Sequence, residues 1–475
     1  MTSRNYRTLD KDLGRITHTE TAQAHAFRPV RWIGLAILMA TAVLIVAIGW
    51  TGHHPNMAAL AVGLVVAGWL GISIGANDVA NALGPAVGAG AIRLMPGLLM
   101  VGAAQIAGAT LAGSEVTHRL ASGILDPTTL QAGASAQLVM LSALLSAAIW
   151  ITFATGARLP VSTTHSIVGG IAGAGVAALG VSGINWGALS LIAFAWVLTP
   201  FVSGLLAGAI LIFLRRRVLE APDRNGAALF WLPLMVGTMG GAFAAYVIVL
   251  LPYLPTALAL PMGLGLGIAI RWHTARRLQR DLKADRGRLS GRKIFGPALV
   301  MSAALMGFAH GASDVSNVAG PFSVILSGVN AIDVGTISVG VLMAGGFAIA
   351  VGTVLFGRRL VEMVGGGITR LNSGRAFCVM LATAGTVLAA AAFGLPVSST
   401  HVAIGGIFGV GFTREWLDRR RALSRAALPA DEARRRILIR RSHVITITAA
   451  WLVTVPITAS IGAVTCLITF AVLGV

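Results

Sequence analysis

The sequence predicts an all-α polytopic membrane protein with inverted-topology repeats, broken helices and re-entrant hairpins, in about 12–13 membrane segments. Three observations carry that prediction. Hydrophobic residues make up 56% of the chain and charged residues only 11%, with a mean hydropathy of +0.82, whereas about a quarter of the residues of a soluble domain are charged. A pair of short motifs occurs twice. Gly75-Ala76-Asn77-Asp78-Val79-Ala80-Asn81 returns as Gly311-Ala312-Ser313-Asp314-Val315-Ser316-Asn317, and Pro160-Val161-Ser162-Thr163-Thr164-His165 returns as Pro396-Val397-Ser398-Ser399-Thr400-His401. Both displacements are 236 residues and the motifs lie 85 residues apart in each copy, a constancy that duplication explains and chance does not. Third, the basic residues cluster between the apolar stretches.

Taken in order, residues 1–52 read as a cytoplasmic tail with Arg4, Arg7, Lys11, Arg15, Arg28 and Arg31, followed by an additional first helix at 31–51. That stretch is long enough for a ~30 Å hydrocarbon core and lacks a small-residue cleavage site, so it is expected to be retained. Residues 53–213 form the first repeat, with apolar stretches near 57–75, 95–113, 135–155 and 184–214. Gly75, Gly84-Pro85, Gly88 and Gly90 are expected to interrupt its first motif region, and Pro160 to start a hydroxyl-rich hairpin. Pro is well tolerated at a first helical position, where its missing N–H has no partner to lose. Residues 214–293 read as a connecting helical hairpin, 229–252 and 256–271, with a basic loop. Residues 294–475 form the second repeat, with breaks expected at Gly311 and Gly320-Pro321, stretches near 335–357, 376–395 and 443–473, and a second hydroxyl hairpin after Pro396. Irregular backbone at membrane depth survives only inside protein or along a polar cavity. The 59 glycines, many in small-residue patterns, suit close helix packing.

A net charge of +19 would suggest nucleic-acid binding in a soluble chain, but here the cations sit in loops: the tail, Arg215–Arg217, 271–293, Arg358, Arg359, Arg370, Arg375 and 414–441. The positive-inside rule makes these cytoplasmic and directs them to topology and anionic lipid, with no role for nucleic acid. Counting crossings from a cytoplasmic N-terminus puts every cluster inside and the C-terminus outside. It puts the loop 114–134, with Glu115 and Asp126 against Arg119 alone, outside. The first motif region is then entered from outside and the second from the cytoplasm, so the repeats are antiparallel. Cys378 and Cys466, far apart and both in apolar segments, support neither a disulfide framework nor a cysteine metal site.

Asp78 and Asp314 are the acidic residues deepest in apolar sequence. A charge at membrane depth costs about 2.5–3.5 kcal/mol even on the lower scales, so such residues face a site or cavity. Asn77, Asn81, Ser313 and Asn317 add carbonyl and hydroxyl oxygens that suit a small hard cation. Ser162, Thr163 and Thr164, with Ser398, Ser399 and Thr400, present three hydroxyls at each of two helix starts. Unpaired N–H groups and a dipole of roughly +0.5 charge make such ends anion sites, although one such triplet alone would also serve as an N-cap. A carboxylate repels an anion 5 Å away by about 3 kcal/mol at an effective dielectric near 20. Anion binding therefore calls for cations, and mutual enhancement of the two affinities is a physical basis for symport. His165 and His401, directly after the hydroxyls, are expected to support the hairpins by a hydrogen bond, with direct anion contact or a proton relay as the alternatives.

At these residues the chain resembles the inorganic phosphate transporter (PiT) family, through Gly75–Gly84 (GANDVANALG), Gly311–Gly320 (GASDVSNVAG), the two hydroxyl motifs and Gly357–Gly365 (GRRLVEMVG). The resemblance spans roughly 70–180 and 296–413. It implies a secondary transporter of the plasma membrane, not an enzyme, in which Asp78, Asn81, Asp314 and Asn317 bind coupling cations, Na⁺ or H⁺, and Ser162–Thr164 with Ser398–Thr400 bind inorganic phosphate. No cofactor and no metal beyond Na⁺ is implied; membrane lipids are partners and a homodimer is admissible. Three features depart from the family pattern: Ser313 where Asn is frequent, Gln105 where some members carry Glu, and the extra helix at 31–51. Sulfate carriers share the family, so a sulfate permease is the nearest alternative and a passive anion channel the alternative of another class. An intramembrane aspartyl protease would need two unlike Asp contexts and would leave the repeated hydroxyl runs unexplained.

Overall fold

The computed structural model describes residues 32–37, 39–40, 43, 55–125, 134–156, 161–284, 290–330, 337–363, 372–422 and 441–473. The basic tail, most of the expected helix at 31–51, Asp126, Pro160, Arg370 and the greater part of the basic stretch 414–441 lie outside the described residues.

Helices dominate, and the only bridge among the described residues joins Leu125 to Ile184. In chain order, α1 spans Pro55–Gly88, α2 Leu94–Ala112, α3 Ser114–His118, α4 Ala134–Gly156, α5 Thr163–Leu179 and α6 Trp186–Leu214. α7 Arg224–Leu250 and α8 Ala259–Ala284 follow. Then come α9 Gly291–Asp314, α10 Ser316–Asn330, α11 Val339–Met363, α12 Ser373–Ala392, α13 Ser399–Ala422 and α14 Arg441–Leu473.

Nine helices among the described residues are long and apolar enough to cross a membrane. The sequence-based count also includes the stretch 31–51, most of which lies outside the described residues, and differs elsewhere for identifiable reasons. The stretch 57–75 and the motif that follows it form one helix, α1, and Gly291–Ser327 counts as one apolar stretch. The 17 residues of α5 extend only about 25 Å at 1.5 Å each, short of a full crossing.

The expected interruptions fall differently in the two copies. α1 runs unbroken through Gly75, Asp78 and Pro85 and ends only at Gly88, before Gly90 turns the chain at φ 68°. Pro85 forgoes one helical bond, a loss that neighbouring helices make tolerable at membrane depth. In the second copy the helix is interrupted at Val315, between α9 and α10. There the Ser316 hydroxyl donates to the Ser313 carbonyl at 2.6 Å, taking up an oxygen that the helical ladder would otherwise occupy. The first copy has Ala80 at the matching position and no hydroxyl to compete.

Packing partners are exchanged between copies. α1 packs along α11 and its counterpart α9 along α2; α5 packs along α14 and its counterpart α13 along α6. Between hydrocarbon-facing helices the gain comes from close van der Waals approach, and glycines provide it. A methyl at Gly75 would collide with the Ile349 carbonyl, and one at Gly352 with that of Ile72. In the matching pair, Gly311 meets the Gln105 carbonyl and Gly108 that of Phe308. Later residues of α1 meet later residues of α11, from Gly71 against Ala348 to Val79 against Gly357, so these two run in the same direction; so do α2 and α9, from Val101 against Gly307 to Gln105 against Gly311. α1 and α2 instead fold back on each other, with Leu83 against Gly97.

The buried apolar clusters are also shared. One gathers Trp69, Leu70, Leu141 and Ile167 with Val315, Val318 and Ile325; another gathers Leu83, Leu98 and Val101 with Leu299, Phe377 and Val410. Cys378 and Cys466 are buried and free.

Candidate functional site

Each hydroxyl run begins a helix. Ser162 is extended, with φ −89° and ψ 126°, and its Oγ accepts from the His165 N–H at 3.2 Å, the geometry of an N-cap. Ser398 Oγ accepts from the His401 N–H at 3.4 Å at the start of α13. In both copies the first hydroxyl thus caps its own helix, and the next two stand in the first turn, where backbone N–H groups lack helical acceptors. The two helix starts meet each other: Thr164 Oγ1 donates to the Val397 carbonyl at 3.3 Å.

The aspartates face these helix starts. Asp78 is 4% and Asp314 1% exposed. Thr400 Oγ1 donates to Asp78 Oδ1 at 3.3 Å, and Ser399 Oγ donates to Asp314 Oδ2 at 3.3 Å. Asn81 Nδ2 donates to Thr400 Oγ1 at 3.0 Å, and Asn77 Nδ2 approaches Asp78 Oδ1 at 3.4 Å. Across the centre, Asn317 Nδ2 lies 3.3 Å from Thr164 Oγ1 and 3.5 Å from Thr163 Oγ1, while Ser313 Oγ donates to the Val397 carbonyl at 3.4 Å. These bonds, brought together by the adjacent residues Val397–Thr400, gather both carboxylates, all four neighbouring amide and hydroxyl residues and both helix starts.

The two asparagines each reach into the other copy: Asn81 of the first meets Thr400 of the second, and Asn317 of the second meets Thr164 of the first. The halves nevertheless differ. Asn77, Asn81 and Thr400, on the Asp78 side, are partly exposed, whereas Ser313, Asn317, Thr163 and Thr164 are buried. The Asn317 side-chain oxygen Oδ1 is buried and has no hydrogen-bond partner among the described residues.

Among the described residues neither carboxylate has a basic ion-pair partner. Two buried carboxylates in each other's field and without an internal cation are costly, and the oxygens around them are those of a hard-cation site. Helix N-termini pointed at the same cluster favour negative charge. The arrangement can thus hold a cation and an oxyanion side by side.

His165 and His401 lie together, ring centroids 4.6 Å apart. Neither ring nitrogen of His165 makes a hydrogen bond among the described residues; the ring instead packs edge-on against Trp196 at 3.8 Å. Trp196 Nε1 donates to the Pro396 carbonyl at 2.9 Å, tying α6 to the second hairpin. Trp196 and the Val397 carbonyl belong to the site without any signal in the sequence beyond the proximity of Val397 to Ser398. Gln105, fully buried, accepts at 2.8 Å from Thr353, whose hydroxyl also lies 3.2 Å from the Gly75 carbonyl.

Comparison with known proteins adds an independent line. A family model described as the phosphate transporter family matches residues 74–462. A protein named as a phosphate permease in Helicobacter pylori is 35% identical over 417 residues, covering 86% of this chain and 78% of its own. The chloroplastic inorganic phosphate transporter 2-1 of Arabidopsis thaliana is 32% identical, covering 82% of this chain and 68% of its own. A solved structure described as the sodium-dependent phosphate transporter aligns with a TM-score of 0.75 at 28% identity, over 86% of this chain and 98% of that one.

Proposed function

This chain belongs to the phosphate transporter family, and we propose on that premise that it imports inorganic phosphate by symport with Na⁺ or H⁺. Family membership makes it a transporter rather than an enzyme. Asn77, Asp78, Asn81, Ser313, Asp314 and Asn317 hold the coupling cations. The hydroxyl runs Ser162–Thr164 and Ser398–Thr400, with their helix ends, hold phosphate, and His165 and His401 support the hairpins.

The observation that carries this reading is the pair of bonds from Thr400 to Asp78 and from Ser399 to Asp314. They bring the anion-binding helix ends against the carboxylates, so an unneutralised pair repels phosphate and a neutralised pair does not. Cation and phosphate then raise each other's affinity, which is the thermodynamic requirement of symport.

Inverted repeats, 53–213 and 294–475 around the connecting segment 214–293, are supported by helix direction. α1 runs with α11 and α2 with α9, while α1 and α2 are opposed, so the equivalent helices α1 and α9 are opposed as well. Alternating access between these halves is supported by the contrast between a partly exposed Asp78 side and a buried Asp314 side. The clustering of basic residues between the apolar stretches of the sequence supports a cytoplasmic N-terminus in a plasma-membrane protein.

The decisive experiment is phosphate uptake into proteoliposomes under an imposed Na⁺ or pH gradient, with sulfate as competitor. Concentration of phosphate by one gradient is expected. Uptake that only equilibrates would make the protein a channel, and competition by sulfate at equal affinity would change the substrate.

A further inference from the structure

We propose that the turn just after α6, the start of α7 and the second half of α8 form a binding site for the phosphodiester headgroup of an anionic phospholipid. Its core is Arg217, Arg271, Phe230 and Trp231. The Arg217 guanidinium lies 5.7 Å from the Trp231 ring centroid, and that of Arg271 lies 5.9 Å from the Phe230 centroid. The two rings meet edge to face at 5.0 Å, and Phe213 braces Trp231 from the other side at 5.0 Å. Two planar cations are thus held by a rigid aromatic pair.

Arg217 and Arg271 are both exposed, and among the described residues neither is paired with a carboxylate. Their neighbour Arg215 shows the contrast, bound by Glu220 at 2.6 Å and Asp418 at 3.3 Å. A guanidinium that meets a ring within about 6 Å, unpaired with a carboxylate among the described residues, leaves its N–H fork available to phosphate oxygens in pairs.

Lipid is singled out by what adjoins the cations. Leu260, Leu264 and Ile268 are 68%, 58% and 66% exposed, and their spacing puts them on the face of α8 that also carries Arg271. Within a membrane that face meets acyl chains, and it leads directly to the guanidinium groups. Trp272, with Arg276 at 3.6 Å from its centroid, extends the aromatic and basic band typical of a membrane interface. A soluble anion would make no use of the apolar run, whereas a phospholipid uses both parts.

The test is lipid retention by the full-length protein, read by native mass spectrometry after exposure to phosphatidylglycerol or phosphatidylcholine. It needs no transport, so its failure is distinct from failure of the symport reading. The wild type is expected to retain phosphatidylglycerol at least ten-fold over phosphatidylcholine. The double variant Arg217→Gln/Arg271→Gln should lose most of that preference, while Arg358→Gln, on α11 and paired with Glu362, should keep it. Absence of a preference in the wild type, full retention by the double variant, or displacement of the lipid by inorganic phosphate would each overturn the proposal.

Discussion

The hydroxyl of Thr400 lies 3.3 Å from the carboxylate of Asp78, joining the second hydroxyl run to the first aspartate motif across 322 residues of sequence. The same hydroxyl accepts from Asn81 at 3.0 Å, so one side chain holds both polar residues of that motif.

Thr400→Val keeps the shape of the side chain and removes both bonds. A hydrogen bond to a charged group contributes about 1.5–3 kcal/mol; without it the cation-free carboxylate of Asp78 is less stable, so half-saturation by the coupling cation should tighten by roughly 10- to 100-fold. Thr400→Ser should reverse most of the shift. Initial uptake rates in proteoliposomes over a cation titration measure both; an unchanged Thr400→Val titration would detach Thr400 from the cation site.

Asp78→Asn and Asp314→Asn remove the charge that a cation must neutralise. Each is expected to abolish uptake or free it from the cation gradient. Phosphate binding to the purified variants, followed by calorimetry with and without Na⁺, should lose its cation dependence. Retention of full cation dependence by both variants would refute the assignment of these residues.

Ser316→Ala gives the second copy the residue found at Ala80 in the first. The Ser313 carbonyl then loses its hydroxyl donor, and the helix is expected to close through residues 314–317. Amide hydrogen exchange there should slow, with overall stability changed by about 1 kcal/mol or less. Faster exchange would show that the hydroxyl holds this segment together rather than opening it.

Gly75→Ala and Gly311→Ala place a methyl against a backbone carbonyl that cannot rotate away. Overpacking of this kind costs about 1–3 kcal/mol or more, so both variants should melt at lower temperature in detergent. A methyl added at Gly385 on α12 would meet no atom within 4 Å, and Gly385→Ala should stabilise by about 0.5–1 kcal/mol through lower chain entropy. Equal melting of all three would disprove the close-approach account.

Much of this site is legible in the sequence because its parts repeat. A constant offset marks Asp78 with Asp314 and Ser162–Thr164 with Ser398–Thr400, and the surrounding apolarity marks them as interior. What the offset hides is the exchange of partners: Asn81 pairs 319 residues away and Asn317 only 153 away. Equivalence by sequence says nothing about which copy a side chain faces. Gly75 illustrates a second difficulty, since a glycine read as a break proves to lie within a continuous helix, where its missing side chain admits the Ile349 carbonyl. Bend and close approach require the same residue. His165 illustrates a third: a polar ring suggested a hydrogen bond, but Trp196 and His401 supply ring contacts, which have no pattern along the chain.

The exchanged packing of α1 with α11 also bears on how the protein is made. When Gly75 leaves the ribosome, the helix that fills its notch, containing Ile349 and Gly352, has yet to be translated. At about 5–20 residues per second the wait is on the order of tens of seconds. Throughout it, a helix carrying Asp78 sits in the bilayer without its mate. Insertion and assembly are therefore separate events, and a nascent first half is a natural client for membrane chaperones and a target for quality-control proteases.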